Sequence, residues 1–229
     1  MGMIPFRNLG ASHTVAFEFQ RIADWAQANF PQLLKSFRPG ISKDLLDAAE
    51  SELGRKFPQQ LRELYMLANG EVDASAGLFF GLPFIPLDRL KSERKSWDEI
   101  AEEAGDNPGI TEFLTSNPAN AIQTKYANRN WLPISHDWGG NHIGVDIGPG
   151  PSGTLGQVIN FGRDEDNMIV LASSVGAFLA WLADSLEAGN FIIEIGSQHS
   201  PSGVDFRLAE PANQHFLDTI ETLAADRTV

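Results

Sequence analysis

The sequence predicts an α+β fold on three observations. A helical hairpin runs from Ile41 to Gly70, short strand candidates separated by turn residues lie between Leu132 and Ala172, and an amphipathic helix spans Ser174 to Glu187. The helical segments carry apolar residues three and four apart, whereas the central segments are short and rich in β-branched residues.

Taken in order, Val15 to Phe37 has Phe19, Ile22, Ala23, Ala26 and Phe30 at helical spacing, with an interruption near Pro31. Pro39-Gly40 then separates this segment from the hairpin. In the hairpin, Ser42 is placed to cap the first helix and Ile41 to pack on Leu46 as a hydrophobic staple. Leu45, Leu46, Ala49 and Leu53 define its apolar face, and Gly54 to Pro58 form a turn. Pro58 suits a first helical turn, where a missing N–H costs nothing; Leu61, Leu64, Tyr65 and Ala68 form the second apolar face. Asn69-Gly70 can adopt positive φ and stop the helix.

Leu78–Phe80 reads as a strand. Ser96-Trp97-Asp98-Glu99 reads as a capping box opening an acidic helix through Ala104, ended by Asp106 to Gly109. A short helix is expected around Thr111–Ser116, then strands at Leu132–Ser135, His142–Ile147, Gln157–Phe161 and Met168–Ala172. The helix beginning at Ser174 places Val175, Phe178, Leu179, Leu182 and Leu186 on one face, with Gly189 just past its end. A strand at Phe191–Ile195, a polar Ser/Gly/Pro loop and a last helix from Pro211 to Ala225 complete the chain. The expected organisation is an N-terminal helical extension (1–39), a central domain (40–188) and a C-terminal extension packed on it (189–229).

Composition bounds the chemistry. With 229 residues, 42% of them hydrophobic, the chain can bury a sizeable core. It has no cysteine, which excludes disulfides, thiolate metal sites and a cysteine nucleophile, and fits a reducing, cytoplasmic setting. No N-terminal signal pattern and no long apolar run is evident, so no membrane association is expected. Thirty acidic against seventeen basic residues give a net charge of −13. Such a chain repels phosphate backbones, which argues against direct nucleic-acid binding, and attracts basic proteins.

Several segments resemble chemical motifs without meeting their requirements. Gly148 to Gly153 matches G-x-G-x-x-G, but a strand rather than a helix follows, so no helix N-terminus would meet a pyrophosphate. Asp164-Glu165-Asp166-Asn167 lacks the glycine and the bidentate glutamate of a calcium loop, with Ile169 and Val175 at those positions. No G-x-S-x-G elbow exists, and His13, His136, His142, His199 and His215 have no partner signature. His136, Asp137, His142 and Asp146 could form an acid–base or metal cluster, although strand alternation favours structural roles: Asp137 accepting turn N–H groups and Asp146 capping a strand end. No cofactor and no metal is expected. Trp138, on a turn beside Gly139-Gly140, has the placement of a binding anchor.

The hairpin layout, with Leu53-Gly54, Pro58 and Asn69-Gly70, resembles the opening of the SMI1/KNR4 (SUKH) family. Trp131 to Asp146 is similar to that family's central segment, an aromatic-x-Pro strand, a glycine-rich turn and a strand ending in Asp; Gly156 to Ile159 and Ser173 to Leu179 continue the likeness. It covers Ile41 to Leu186. Departures occur at Glu71, where the family has a second glycine, at Gln59 and Gln60 in place of an acidic pair, and at Val175 in place of an aromatic. The resemblance implies a bent, mostly antiparallel sheet with helices packed on it. It also implies non-enzymatic protein binding: bacterial members include immunity proteins that neutralise toxins, and fungal members act in cell-wall regulation. The leading expectation is an immunity-type protein that binds a basic toxin domain. The alternatives are a regulatory scaffold without a toxin, and a small-molecule-binding protein or enzyme using a cleft near His136 and His142. The expected partner-binding residues are Glu71, Asp73, Asp137, Trp138, Asp164, Glu165 and Asp166, chosen from charge and expected exposure.

Overall fold

The computed structural model describes residues 13–104, 108–198, 200, 202–212 and 215–225. Asp106, Asn107 and His199, which figured in the sequence reading, lie outside the described residues. The chain opens with helices α1 (Val15–Asn29) and α2 (Pro31–Ser36), broken at Phe30 because Pro31 cannot continue a helix but fits the start of the next. Strand β1 (Phe37–Pro39) precedes the hairpin of α3 (Lys43–Leu53) and α4 (Gln59–Leu67). The Ser42 hydroxyl accepts the Leu45 N–H as a cap, and Gly54 ends α3 with φ of 64°. Leu46 and Ala49 are buried, but Leu45 is 56% exposed and leaves the expected apolar face. Glu50 instead turns inward, accepting from Lys56 Nζ, Arg62 Nη1 and the Phe57 N–H, and so fixes the turn between the two helices.

After α4 the backbone extends directly as β2 (Ala68–Glu71), antiparallel to β1. Gly70 is required here: φ is +71°, and a Cβ would stand 2.3 Å from Pro86 N. Asn69 Oδ1 accepts the Leu87 N–H at the start of α5 (Leu87–Ala104). Two readings need correction in this region. Leu78–Phe80 is not a strand but a tight turn, in which the Phe79 N–H donates to Leu82 O across Phe80 and Gly81, both at positive φ. Ser96 does not open a helix. It lies inside α5, its hydroxyl bonded back to Ser92 O, because the apolar contacts of Leu87 and Leu90 start the helix earlier.

Helix α6 is short (Pro108–Thr111), and Thr115 and Ser116, the end of the helix expected around Thr111–Ser116, belong instead to strand β3 (Thr115–Asn117). Strands β4 (Trp131–Pro133), β5 (Asn141–Asp146), β6 (Gln157–Gly162) and β7 (Asn167–Ala172) follow. They make one sheet of order β3-β7-β6-β5-β4, antiparallel except for the parallel β3–β7 pair. The parallel pairing captures β3, since Thr115 to Asn117 align with Asn167 to Ile169. Gly148 to Gly153 is the β5–β6 connection and packs on the chain near Ala121, with no helix after it.

Helix α7 (Val175–Glu187), capped by Ser174, packs mainly against α1. A hairpin, β8 (Ile192–Ile195) and β9 (Val204–Arg207), occupies part of the expected polar loop, and α8 runs Phe216–Ala225, starting later than Pro211. No helix of the described residues is long and apolar enough to cross a membrane.

Strands β4 to β7 are buried on both faces. Leu132, Ile143, Val145, Val158, Ile169 and Leu171 face the main core, while Trp131, Ile159, Phe161, Met168 and Val170 face a second, smaller one beneath α5. The main core extends from Val15 to Ala224, so both terminal segments contribute to it. Phe206 is the aromatic junction: its ring meets Trp25 at 6.1 Å, Phe30 at 5.4 Å and Phe80 at 5.3 Å. Trp181 and Phe216 extend the stack, with centroids 5.7 Å apart.

Glu71 is a buried polar centre, 2% exposed. Its Oε2 accepts the N–H groups of Leu78 (2.9 Å) and Phe84 (2.7 Å), closing the loop between them. Ser36 Oγ lies 2.7 Å from Leu33 O and 2.9 Å from Glu71 Oε1. The Ser36 hydroxyl, which donates to Glu71 Oε1, thus lies between two acceptors. Burial raises the Glu71 pKa, against the opposing pull of the Leu78 and Phe84 N–H groups.

Phe206→Ala should destabilise the chain by about 3–5 kcal/mol in urea unfolding, the range for emptying a buried aromatic site. Glu71→Gln keeps an acceptor for the two N–H groups without a charge and should keep native stability, whereas Glu71→Ala should cost about 2–5 kcal/mol by orphaning two buried N–H groups. A carboxyl whose folded pKa is raised contributes most at low pH. Wild-type stability should therefore fall as pH rises above the ordinary glutamate range, with a smaller fall in Glu71→Gln. Equal pH slopes for the two proteins would refute a raised Glu71 pKa.

Candidate functional site

A cleft of about 530 Å³ opens between the loop after β2, the start of α5, the β4–β5 turn, strand β9 and the start of α8. Its prominent feature is Trp138. The residue is 66% exposed and has φ of +67°, an uncommon conformation for a bulky side chain and one that costs about 1–3 kcal/mol.

The surrounding turn enforces that conformation. Asp137 Oδ1 accepts the N–H groups of Gly139 (2.7 Å) and Asn141 (2.9 Å), and Oδ2 accepts Asn141 Nδ2 (2.8 Å). Burial opposes ionisation of Asp137, but these donors outweigh it and leave its pKa below the ordinary aspartate value. The His136 ring meets the indole edge-on at 3.7 Å, and the Arg89 guanidinium lies 5.5 Å from the indole centroid. Burial, reinforced by Arg89, lowers the His136 pKa to about 4, so its imidazole is neutral near pH 7. Arg89 is itself paired with Glu93 at 2.6 Å, and Arg38 lies 3.9 Å from Asp73 across the cleft mouth. Exposed Asp73 and Asp88 and half-buried Asp205 give the cleft wall an acidic character.

The expected contact residues divide. Asp73, Asp137 and Trp138 line this cleft together although they come from distant parts of the chain. Asp164 is joined to the same turn through Asn141, whose Oδ1 accepts the Asp164 N–H at 2.9 Å and whose Nδ2 reaches Asp164 Oδ2 at 3.4 Å. Glu165 and Asp166 share the β6–β7 turn, where Asp166 is exposed. Glu165 is half-buried against Asn160 Nδ2; burial raises its pKa to about 7, and the charges of Asp137, Asp218 and Glu221 add to the shift. Glu71 is the correction. It sits in the cleft floor but is buried and bonded to backbone, so it shapes the site and cannot serve as an exposed contact. Arg89, Asp88, Asp205 and His215, also in the lining, were not singled out by sequence because nothing local marks them.

The acid–base constellation does not assemble. His142 Nε2 accepts the Trp97 indole N–H at 2.9 Å, so Nδ1 carries the proton and donates to Ser135 O at 2.8 Å. Burial lowers its pKa, and the ring is a structural strut between α5 and β5. Asp146 lies at the far end of β5, accepting from Gly148 N–H and Gln157 Nε2. Burial raises its pKa to about 6, consistent with a strand-end cap rather than a cleft acid. Among the described residues no group of three or more His, Asp or Glu side chains could hold a metal ion.

Comparison with known proteins gives the same answer as the motifs. The model of the SMI1 / KNR4 family (SUKH-1) matches residues 40–181. The chain is 30% identical over 189 residues to the "Cell wall biosynthesis/cell cycle regulator smi1" of Schizosaccharomyces pombe, covering 79% of this chain and 38% of that protein. It is 30% identical over 217 residues to the "Cell wall assembly regulator SMI1" of Saccharomyces cerevisiae, covering 81% and 43%. Over 228 residues it is 29% identical to the "Glucan synthesis regulatory protein" of Neurospora crassa, covering 84% and 43%. The chain thus spans less than half the length of these relatives. With the match running from just before the α3–α4 hairpin into α7, the chain belongs to the SMI1/KNR4 family (SUKH-1).

Proposed function

We propose that this chain is a non-enzymatic, protein-binding regulatory scaffold whose contact surface is the cleft beneath Trp138 and the adjoining acidic turn at Asp164 to Asp166. The observation that carries this reading is an indole left two-thirds exposed at a cleft mouth, on a backbone held at positive φ. A bulky aromatic kept in water at a conformational cost suits the anchor of an interface, where Trp is enriched.

The relatives are named as regulators of cell-wall and glucan synthesis, which favours a regulatory scaffold over the toxin-neutralising role expected from sequence. The immunity reading draws no support from those names. The partner surface is a basic segment, by charge complementarity: Asp73, Asp88 and Asp166 are exposed, while Arg38 and Arg89 already face carboxylates.

Trp138→Gly separates this role from folding, because glycine relieves the positive φ. We expect unchanged or slightly raised thermal stability together with a loss of about 10–100-fold in affinity for a partner captured by the wild type. Capture by Trp138→Gly equal to wild type would remove the cleft from the interface. Binding is also expected to weaken as salt rises.

Glu165 makes the binding proton-coupled. A cationic partner favours the ionised form, so binding releases a proton and affinity should rise between pH ~6 and ~8, a slope that Glu165→Gln should flatten. In the free protein the same raised pKa makes the Glu165 contribution to stability fall as pH climbs through about 7. A pH-independent affinity, measured by calorimetry in two buffers, would count against a contact at this turn.

A further inference from the structure

The hairpin of β8 and β9 ends in an open edge. No other strand of the described residues pairs with β8. Gly196 N–H donates to Gly203 O at 2.7 Å, one step beyond the Ile195–Val204 register pair. Bonded and non-bonded pairs alternate along an antiparallel ladder. Ile192 and Glu194 therefore bond to β9, whereas Ile193 and Ile195 turn their N–H and C=O groups outward. Among the described residues nothing bonds to those outward groups.

This edge lacks the usual protection. Strand β1 carries Pro39 and β3 has only three residues, but β8 contains neither proline nor lysine and pairs with β9 without a bulge. Ile195 is 76% exposed at the open end of the strand, while Ile193 and Val204, on the same face, pack on the main core. An apolar side chain in water beside unpaired backbone groups is what an extended segment uses when it adds a strand to a sheet.

Charge selects the segment. On the other face of the hairpin Glu194 stands opposite Asp205, and the two share one guanidinium: Arg207 Nη2 lies 3.1 Å from Glu194 Oε1, and Nη1 lies 3.5 Å from Asp205 Oδ2. Two carboxylates against one cation leave this face negative, and the Glu194 side chain is 58% exposed. A second copy of the chain, paired antiparallel with Ile193 opposite Ile195, would set Glu194 against Glu194, an unfavourable cross-strand pair. A strand bearing Lys or Arg at that position sets a cation there instead, with its flanking residues over Ile193 and Ile195.

We propose that the outer edge of β8 takes up an extended peptide segment as an added antiparallel strand, with a basic residue opposite Glu194 between two apolar ones. This edge is separate from the Trp138 cleft and does not depend on the reading of that cleft.

The test titrates the blocked peptide Thr-Val-Lys-Val-Thr into the full chain while NMR and hydrogen exchange follow the backbone amides of Ile193 and Ile195. We expect saturable shifts and slowed exchange at both amides, unchanged in Trp138→Gly. Replacing the peptide lysine by glutamate should weaken binding about tenfold, and Glu194→Lys should reverse that preference. Methylating both valine amides of the peptide removes the donors that meet β8 and should abolish binding; methylating the lysine amide, which points away, should leave it in place. That comparison alters only the peptide, so it is independent of how any variant folds. Absence of saturable shifts at Ile193 and Ile195, or shifts that persist with the valine amides methylated, would overturn the proposal. Protection of these amides by self-association, seen as concentration-dependent sedimentation, would assign the edge to a second copy and overturn it as well.

Discussion

A single buried carboxyl group joins the parts of the chain from which the cleft is made. Glu71 stands at the end of β2, reaches back to Ser36 at the end of α2, and receives the backbone N–H groups of Leu78 and Phe84 on either side of a tight turn. These contacts set the path of the loop that carries Asp73 along one cleft wall. They also deliver Phe84 to its bridge with Ser135, and Ile85 N–H to Ile134 O, next to the turn that presents Trp138. A charged group would be expensive at such depth, which is why burial pushes this carboxyl toward its neutral form.

Around that centre, strands β4 to β7, buried on both faces, provide rigidity. Alternate residues of β5, β6 and β7 feed two separate apolar clusters, so any slip in register would exchange both sets at once. Arg94 secures the smaller cluster by bonding the carbonyls of Asn128 and Trp131; burial depresses its pKa to about 10, still far above neutral pH, so it remains a cation held by Asp98. The terminal segments are part of the same construction. Trp25 from α1 and Phe206 from β9 stack within the main core, and β9 with the start of α8 forms one side of the cleft, beyond the span of the family match.

The proposed contact surface combines a hydrogen-bonded turn with a titratable rim. Asp137, in the cleft lining, accepts three hydrogen bonds within the turn that holds Trp138 and so positions that residue. Asn141 then couples this turn to Asp164, so two loops from different hairpins are joined by hydrogen bonds. Glu165, poised near neutrality, can adjust its charge to whatever approaches. An arrangement of this kind suits recognition, in which rigid aromatic anchors and adjustable charge act together.

Much of the fold was legible from local signals. The caps at Ser42 and Ser174, the breaks at Pro31 and Gly54, and the strands from Trp131 to Ala172 all rest on short-range backbone preferences, and the family motifs lie on the same scaffold positions. Where local signals misled, distant partners had prevailed: Thr115 to Asn117 became a strand because β7 offered a parallel edge, and the capping pattern at Ser96 was absorbed into a helix begun by buried Leu87 and Leu90. Of the expected contact residues, Trp138 could be read as exposed on a turn from its neighbouring glycines alone. The fate of Glu71 could not, since a carboxylate after Asn-Gly looks like a surface charge until Ser36, Leu78 and Phe84 are known to surround it. By itself the sequence determined the elements, the overall charge and the family, because these depend on neighbouring residues and on sums. The tertiary structure alone decided which charges face water, which are neutralised by burial, and which distant residues share a cleft, because desolvation and hydrogen bonding act between groups that the chain brings together only on folding.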